Sequence, residues 1–328
     1  MIALILLIIS TVIGAGFATG AELLSFFGKT GLPPILIAAV VGFFLLLIMS
    51  ALLFLVPRKQ NKVIRHAFTA IYFAVFIVMT AGLMHLSGVI TTIIALVFCI
   101  AIVMFGFDKL LFVNKYLILF VLAILLFASI TNLNGDNSVL LHAEGAKWAQ
   151  GVALCLLYAG MNCCSLERIF TTAPAKYSRK KILVACVIAT VIICIFIALI
   201  LTAIMRQNVI TAMPILVLSN NIITKAAVFL SILTSMMICL YNITTPASRK
   251  QRLAAPTAIC LLAFGFSFLG FQSVLAFLYP LIGGCMILYV LWLICCRAWY
   301  CLRLRCRKSR NFFIVNNTVD CLKVVKDQ

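Results

Sequence analysis

The chain has 328 residues, of which 65% are hydrophobic and only 10% charged, and it carries a formal net charge of +19. So little polar surface cannot coat a soluble globule of this length, which excludes a soluble protein and implies a polytopic membrane one. The basic excess does not call for nucleic acid, because membrane topology and anionic lipid account for it.

Apolar runs of about 20 residues, the length that crosses a hydrocarbon core of roughly 30 Å, recur ten times along the chain. They predict helices near 2–26, 33–57, 66–85, 87–106, 111–131, 147–166, 181–205, 226–244, 253–270 and 273–296. Residues 1–20 lack the basic flank of a signal peptide, and the apolar character resumes after Lys29, so the first run reads as a span. The third and fourth runs are separated only by His85-Leu86-Ser87-Gly88. Between the fifth and sixth, the polar stretch from Thr131 to Lys147 reads as an external loop. Between the seventh and eighth, Met213-Pro214-Ile215-Leu216-Val217-Leu218 is apolar but too short to span, and suggests a short external helix. From Arg297 to residue 328 the chain becomes a basic tail.

Ten helices with a cytoplasmic N-terminus put all but four of the 26 basic residues inside, the exceptions being Lys29, Lys147, Arg206 and Lys225. The positive-inside rule therefore favours ten spans, with both termini cytoplasmic. The expected organisation is a transmembrane domain over 1–296 and a basic cytoplasmic tail over 297–328. Of the fourteen cysteines, most fall inside apolar spans, where a thiol acts as a small hydrophobe and implies no disulfide set.

The first span contains residues that a simple span avoids: Gly14, Gly16, Gly20 and Glu22. Each glycine costs a helix interior roughly 1 kcal/mol relative to alanine, and a carboxylate at membrane depth costs about 2.5 kcal/mol or more. A helix break at Gly14–Gly20 explains them, since unwound backbone in a bilayer is tolerated where it lines a cavity. Close packing through the small residues Gly16 and Gly20 is the alternative use. Shifting the chain by 145 residues lays Gly14–Glu22 over Ala159–Glu167, so each of two five-helix sets starts on a glycine-containing helix that reaches a glutamate. An odd number of helices per set makes the second inverted, giving a 5+5 inverted repeat, with halves 1–132 and 147–296 and discontinuous first and sixth helices.

The run Ile13-Gly14-Ala15-Gly16-Phe17-Ala18-Thr19-Gly20-Ala21-Glu22 closely resembles the first-helix signature of the YkvI-type bacterial membrane proteins. That family belongs with the amino acid-polyamine-organocation transporters and looks like the leucine-transporter fold; Ala21 stands where the family has glutamine. The resemblance implies a central substrate site on the unwound parts of helices one and six. In this sequence these are Gly14, Ala15, Gly16, Phe17, Ala18 and Thr19, with Tyr158, Gly160 and Asn162. It also implies small hydroxyls on helix eight facing the carbonyls of broken helix one, where Ser231, Thr234 and Ser235 have the matching spacing. Hydroxyl and carbonyl oxygens suit a hard cation, although such hydroxyls also serve as glue between helices. Proton coupling is the competing mechanism, with Glu22 its first candidate, ahead of Glu167 beside Arg168 and of Lys115.

The sequence has no phosphate-binding Gly-x-x-x-x-Gly-Lys-Ser/Thr loop and no His-Glu-x-x-His pair, and it reads as a non-enzyme without a cofactor. The leading expectation is a secondary active transporter of a small amino-acid-like or amine solute, coupled to Na+ or H+, in the bacterial cytoplasmic (inner) membrane. The alternative is a receptor or membrane-assembly protein that keeps the fold without transporting and uses the tail to bind a partner.

Overall fold

The computed structural model describes residues 1–57, 62–105, 107–133, 147–172, 177–207, 209, 211–244, 254–269, 271 and 275–299. Among these residues all regular structure is helical. The elements are α1 (Ile2–Val12), α2 (Ala15–Thr19), α3 (Ala21–Phe27), α4 (Pro34–Leu55), α5 (Lys62–Met104) and α6 (Phe107–Thr131). They continue with α7 (Trp148–Thr172), α8 (Arg179–Arg206), α9 (Pro214–Leu218), α10 (Ile222–Thr244) and α11 (Ala254–Phe266), which ends in a 3-10 turn. The last is α12 (Leu275–Trp299).

Seven of these helices, α4, α5, α6, α7, α8, α10 and α12, are long and apolar enough to cross a membrane. The protein is an all-helical polytopic membrane protein. Exposed stripes agree with that reading: Ile90, Ile94 and Val97 on α5, and Val187, Val191 and Ile195 on α8, recur every turn or two on one helix face. A continuous apolar face of this kind is suited to lipid, not water. The basic tail from residue 300 onward, the loop at 134–146 and the basic connections at 58–61, 173–176 and 245–253 lie outside the described residues.

The chain divides into two compact units, Met1–Ile287 and Leu288–Gln328. Within the first, α1 packs on α6, α7, α8 and α10; α4 lies against α7 and α8; and α10 lies against α5, α6 and α2. Small and weakly polar residues allow these approaches. The Cys194 thiol donates to Ala38 O at 3.2 Å and the Cys163 thiol to Leu45 O at 3.9 Å, fastening α8 and α7 to the backbone of α4. Cysteines that read as inert fillers thus also serve as donors, and those among the described residues are free thiols.

The third and fourth predicted helices are both present, meeting across a kink at Gly88 (φ 80°, ψ −177°) within α5, whereas two other expectations are corrected. That conformation is essentially restricted to glycine, and a Cβ at Gly88 would meet nothing within 4 Å, so backbone geometry alone requires the glycine. The ninth run yields only the thirteen-residue α11 before its 3-10 turn, about 20 Å of helix. Most importantly, the sixth helix is not discontinuous: α7 runs unbroken through Tyr158–Asn162. Gly160 is used for close packing instead, since a Cβ there would sit 2.7 Å from Gly283 O on α12.

Candidate functional site

The first predicted span is divided into α1, α2 and α3 by two interruptions. At the first, Ile13 (φ −80°, ψ 66°) and Gly14 (φ −89°, ψ −164°) leave the helix. At the second, Gly20 turns the chain in the left-handed region, φ 76°, between Thr19 and Ala21. Left-handed backbone favours glycine, and a Cβ on Gly20 would in addition have to displace the tip of Ile204, 2.9 Å from it. The turn is held by Gly20 N–H donating to Phe17 O at 3.0 Å and by Thr19 Oγ1 donating to Gly16 O at 3.0 Å.

Breaking the helix frees carbonyls that a bilayer interior cannot hydrate. Helix α10 supplies the donor for Ile13 O: Ser231 Oγ lies 3.1 Å from it and 3.2 Å from Gly14 O, which also accepts from Ala18 N–H at 2.9 Å, so the one hydroxyl proton is shared between the two. One turn along, Ser235 Oγ is buried with no hydrogen-bond partner, and a Cβ at Gly14 would approach it to 2.9 Å. A methyl at Gly14 would therefore have to displace the Ser235 hydroxyl on α10. Thr234 takes no part in this contact, because its hydroxyl donates to Ser231 O within its own helix at 2.8 Å.

The left-handed turn at Gly20 sends the Glu22 side chain back across α2, where a Cβ on Gly16 would overlap the carboxylate. Glu22 is only 3% exposed, and its Oε2 has no hydrogen-bond partner. It faces a small internal cavity of about 20 Å³ whose polar lining is Thr11, Gly14, Glu22, Asn162, Ser165 and Tyr279. That is room for a single water or an ion-sized group. The apolar lining comes from Val12, Val75, Met79 and Met161. Tyr279 and Tyr158 lie within electrostatic reach of Glu22; the buried Tyr279 phenol is set toward the Glu22 carboxylate and the buried Tyr158 phenol toward Asn162. Tyr158 is held edge-on against Phe26 and Phe27, with ring centroids 5.3 Å from each.

The predicted residues therefore separate into groups. Gly14, Glu22 and Asn162 line the cavity, Gly16 and Tyr158 adjoin Glu22, and Ser231 and Ser235 meet the break from α10. Phe17 and Ala18 are fully buried but do not line the cavity, Thr19 bonds its own backbone, and Gly160 faces α12. The Ala15 side chain lies outside the described residues. Asn162 Nδ2 donates to Tyr158 O at 3.0 Å, a bond that leaves its Oδ1 unused. Sequence reasoning missed Thr11, Ser165 and Tyr279; Ser165 falls within the matched segment of α7, but nothing local marks Tyr279.

Two of the other polar candidates lie elsewhere. Glu167 accepts from Tyr72 Oη at 3.2 Å, and the neighbouring Arg168 donates from Nη1 to Asn242 O at 2.8 Å, tying α7 to α5 and α10. Lys115 places its ammonium 5.3 Å from the Tyr116 ring centroid on α6. Toward the end of the bundle that carries α9, a cleft of about 330 Å³ is lined by Ala21, Leu24, Ser25 and Lys29 of the α3 segment, with Thr211, Ala212, Leu275 and Ala276. Helix α3 thus separates this cleft from the Glu22 cavity.

Comparison with protein-family models, with curated proteins and with solved structures gives no match for the chain.

Proposed function

We propose that this protein is a secondary active transporter of a small amino-acid-like or amine solute, working by alternating access in a bacterial cytoplasmic membrane. The observation that carries the reading is the interrupted first span. Its freed Ile13 carbonyl is met by Ser231, which also reaches Gly14 O, and its second half folds a carboxylate over a buried polar cavity. A protein that needed only to span or to scaffold gains nothing from a broken helix and a buried acid, each of which costs stability.

The ten-span, inverted-repeat architecture and the kinship with YkvI-type transporters are part of the same proposal. Ten crossings require that α1–α3 count as one, that the two helices of α5 count separately across the kink at Gly88, and that α11 count as a short one. At 1.5 Å per residue the 43 residues of α5 extend about 65 Å, roughly twice a hydrocarbon core. With α7 unbroken, the solute site rests on one discontinuous helix and the side chains of Asn162, Ser165 and Tyr279. Oxygen donors at the α1–α10 junction suit Na+, and Glu22 suits a proton, as coupling ions.

The test is uptake into liposomes containing the purified protein, with a panel of amino acids and amines under separately imposed sodium and proton gradients. Saturable, gradient-dependent uptake supports the proposal. No uptake under either gradient, by protein shown to be folded, refutes it.

A further inference from the structure

Among the described residues the buried charged side chains are Glu22 and Glu167. Glu167 has the Tyr72 hydroxyl against it within 3.2 Å, whereas Glu22 has the Tyr279 phenol set toward it, keeps its buried Oε2 unbonded and faces the cavity. The titratable groups facing Glu22 are the phenols of Tyr158 on α7 and Tyr279 on α12, with Cys239 of α10 beside Tyr279. The cavity lining from α1 and α5 (Thr11, Val12, Val75 and Met79) and from the remainder of α7 (Met161, Asn162 and Ser165) carries no titratable group and no basic one. A buried carboxylate with no cation costs several kcal/mol, so this one calls for an occupant that supplies a proton or a positive charge.

The surroundings favour one kind of cation. Glu22 Oε2, Tyr279 Oη, Asn162 Oδ1 and Ser165 Oγ offer acceptors for the three N–H donors of an ammonium group, in a space that fits such a head. Met79, Met161, Val12 and Val75 in the lining give the carbon next to an ammonium apolar neighbours, which a hard metal ion does not need. The cavity of about 20 Å³ holds the head alone, and these side chains must shift to admit the carbon. Among the described lining residues none is basic, so none can receive a solute carboxylate.

We infer that Glu22 is the counter-ion for the ammonium head of a small primary amine that needs no carboxylate, and that the amine and a proton displace one another at this carboxylate. The step balances without a further reactant. Protonated Glu22 and an alkylammonium ion give the Glu22 carboxylate paired with the ammonium, and one proton leaves. Amine moving one way and proton the other makes the cycle an electroneutral exchange; this second half rests on the transporter reading, and the binding half does not.

The experiment adds methylammonium chloride to the purified full-length protein in lightly buffered detergent near neutral pH, measuring binding heat and proton release together. About one proton should be released per methylammonium bound. Glu22→Gln should release none and bind roughly thirtyfold more weakly or worse, as expected when one member of a buried charge pair is removed. Tyr279→Phe keeps the carboxylate and should release the proton with weaker binding, so the assignment stays testable if Glu22→Gln does not fold. Absence of release in wild type, release driven by sodium chloride but not by methylammonium, or binding unchanged in Glu22→Gln would each overturn the inference. Methylammonium-linked release without exchange in liposomes would refute the transporter reading and leave the site assignment standing. Alanine uptake with no methylammonium-linked release would do the reverse.

Discussion

The Glu22 carboxylate lies directly against the α-carbon of Gly16, with no room for a Cβ between them. The two residues are six positions apart, and only the left-handed turn at Gly20 brings the acid back over the helix that precedes it. Gly16→Ala should therefore push Glu22 out of its place over the cavity. An over-packing cost of about 1–3 kcal/mol is expected, read as a lower unfolding temperature, together with loss of transport. Normal stability and uptake in Gly16→Ala would show that the carboxylate position is unimportant.

Ser231 and Thr234 make opposite predictions although they lie on the same helix. Ser231→Ala strands the Ile13 carbonyl in the bundle interior, at a cost of about 1–3 kcal/mol, while Gly14 O keeps its bond from Ala18 N–H. Thr234→Ala removes a bond within α10 only and should cost distinctly less. Thermal unfolding in detergent compares the two variants directly, and an equal loss would contradict the bridging role of Ser231.

Gly14 and Ser235 should behave as a coupled pair. A methyl group at Gly14 meets Ser235 Oγ at 2.9 Å, so Gly14→Ala should destabilise the protein, and adding Ser235→Ala should recover part of the loss. A coupling energy of about 0.5 kcal/mol or more in the double-mutant cycle is the expected result, and strict additivity would place the clash elsewhere.

The first break was legible in the sequence because three glycines and an acid are costly in an apolar helix and need a common reason. The second was misread, although Ala159–Glu167 aligns with Gly14–Glu22 by glutamate offset. Its glycine has a partner, Gly283, far along the chain, and a close backbone approach leaves the same letter as an unwound turn. Tyr279 could not be found by pattern, since a tyrosine in an apolar span is unremarkable until folding sets it beside Glu22. Gly88 was legible as the separator of the third and fourth helices, and it parts them because a single glycine-only conformation suffices to kink the chain.

Gly160 and Gly88 give a further contrast. Gly160→Ala should fail through space, with its methyl pressed on Gly283 O, and no change on the α7 side can relieve a backbone contact. Gly88→Ala has open space and should fail through φ alone, at about 1–3 kcal/mol. Replacing Gly88 by D-alanine in a semisynthetic protein should restore stability there and would not do so at Gly160.

The orientation assigned from charge is open to direct labelling. In a cysteine-free background, Ser178→Cys at the start of α8 should react with a membrane-impermeant maleimide only from the cytoplasmic side. Asn221→Cys, before α10, should react only from outside. Labelling of both positions from the same side would exclude the proposed topology.

The measurement that bears most directly on the transporter account is uptake by wild-type and Glu22→Gln protein reconstituted side by side, under a proton gradient and then a sodium gradient. The account predicts saturable accumulation of an amine or amino acid by wild type, and none above protein-free liposomes by a Glu22→Gln variant that elutes and unfolds like wild type. Equal uptake by the two proteins, or none by folded wild type under either gradient, would contradict it.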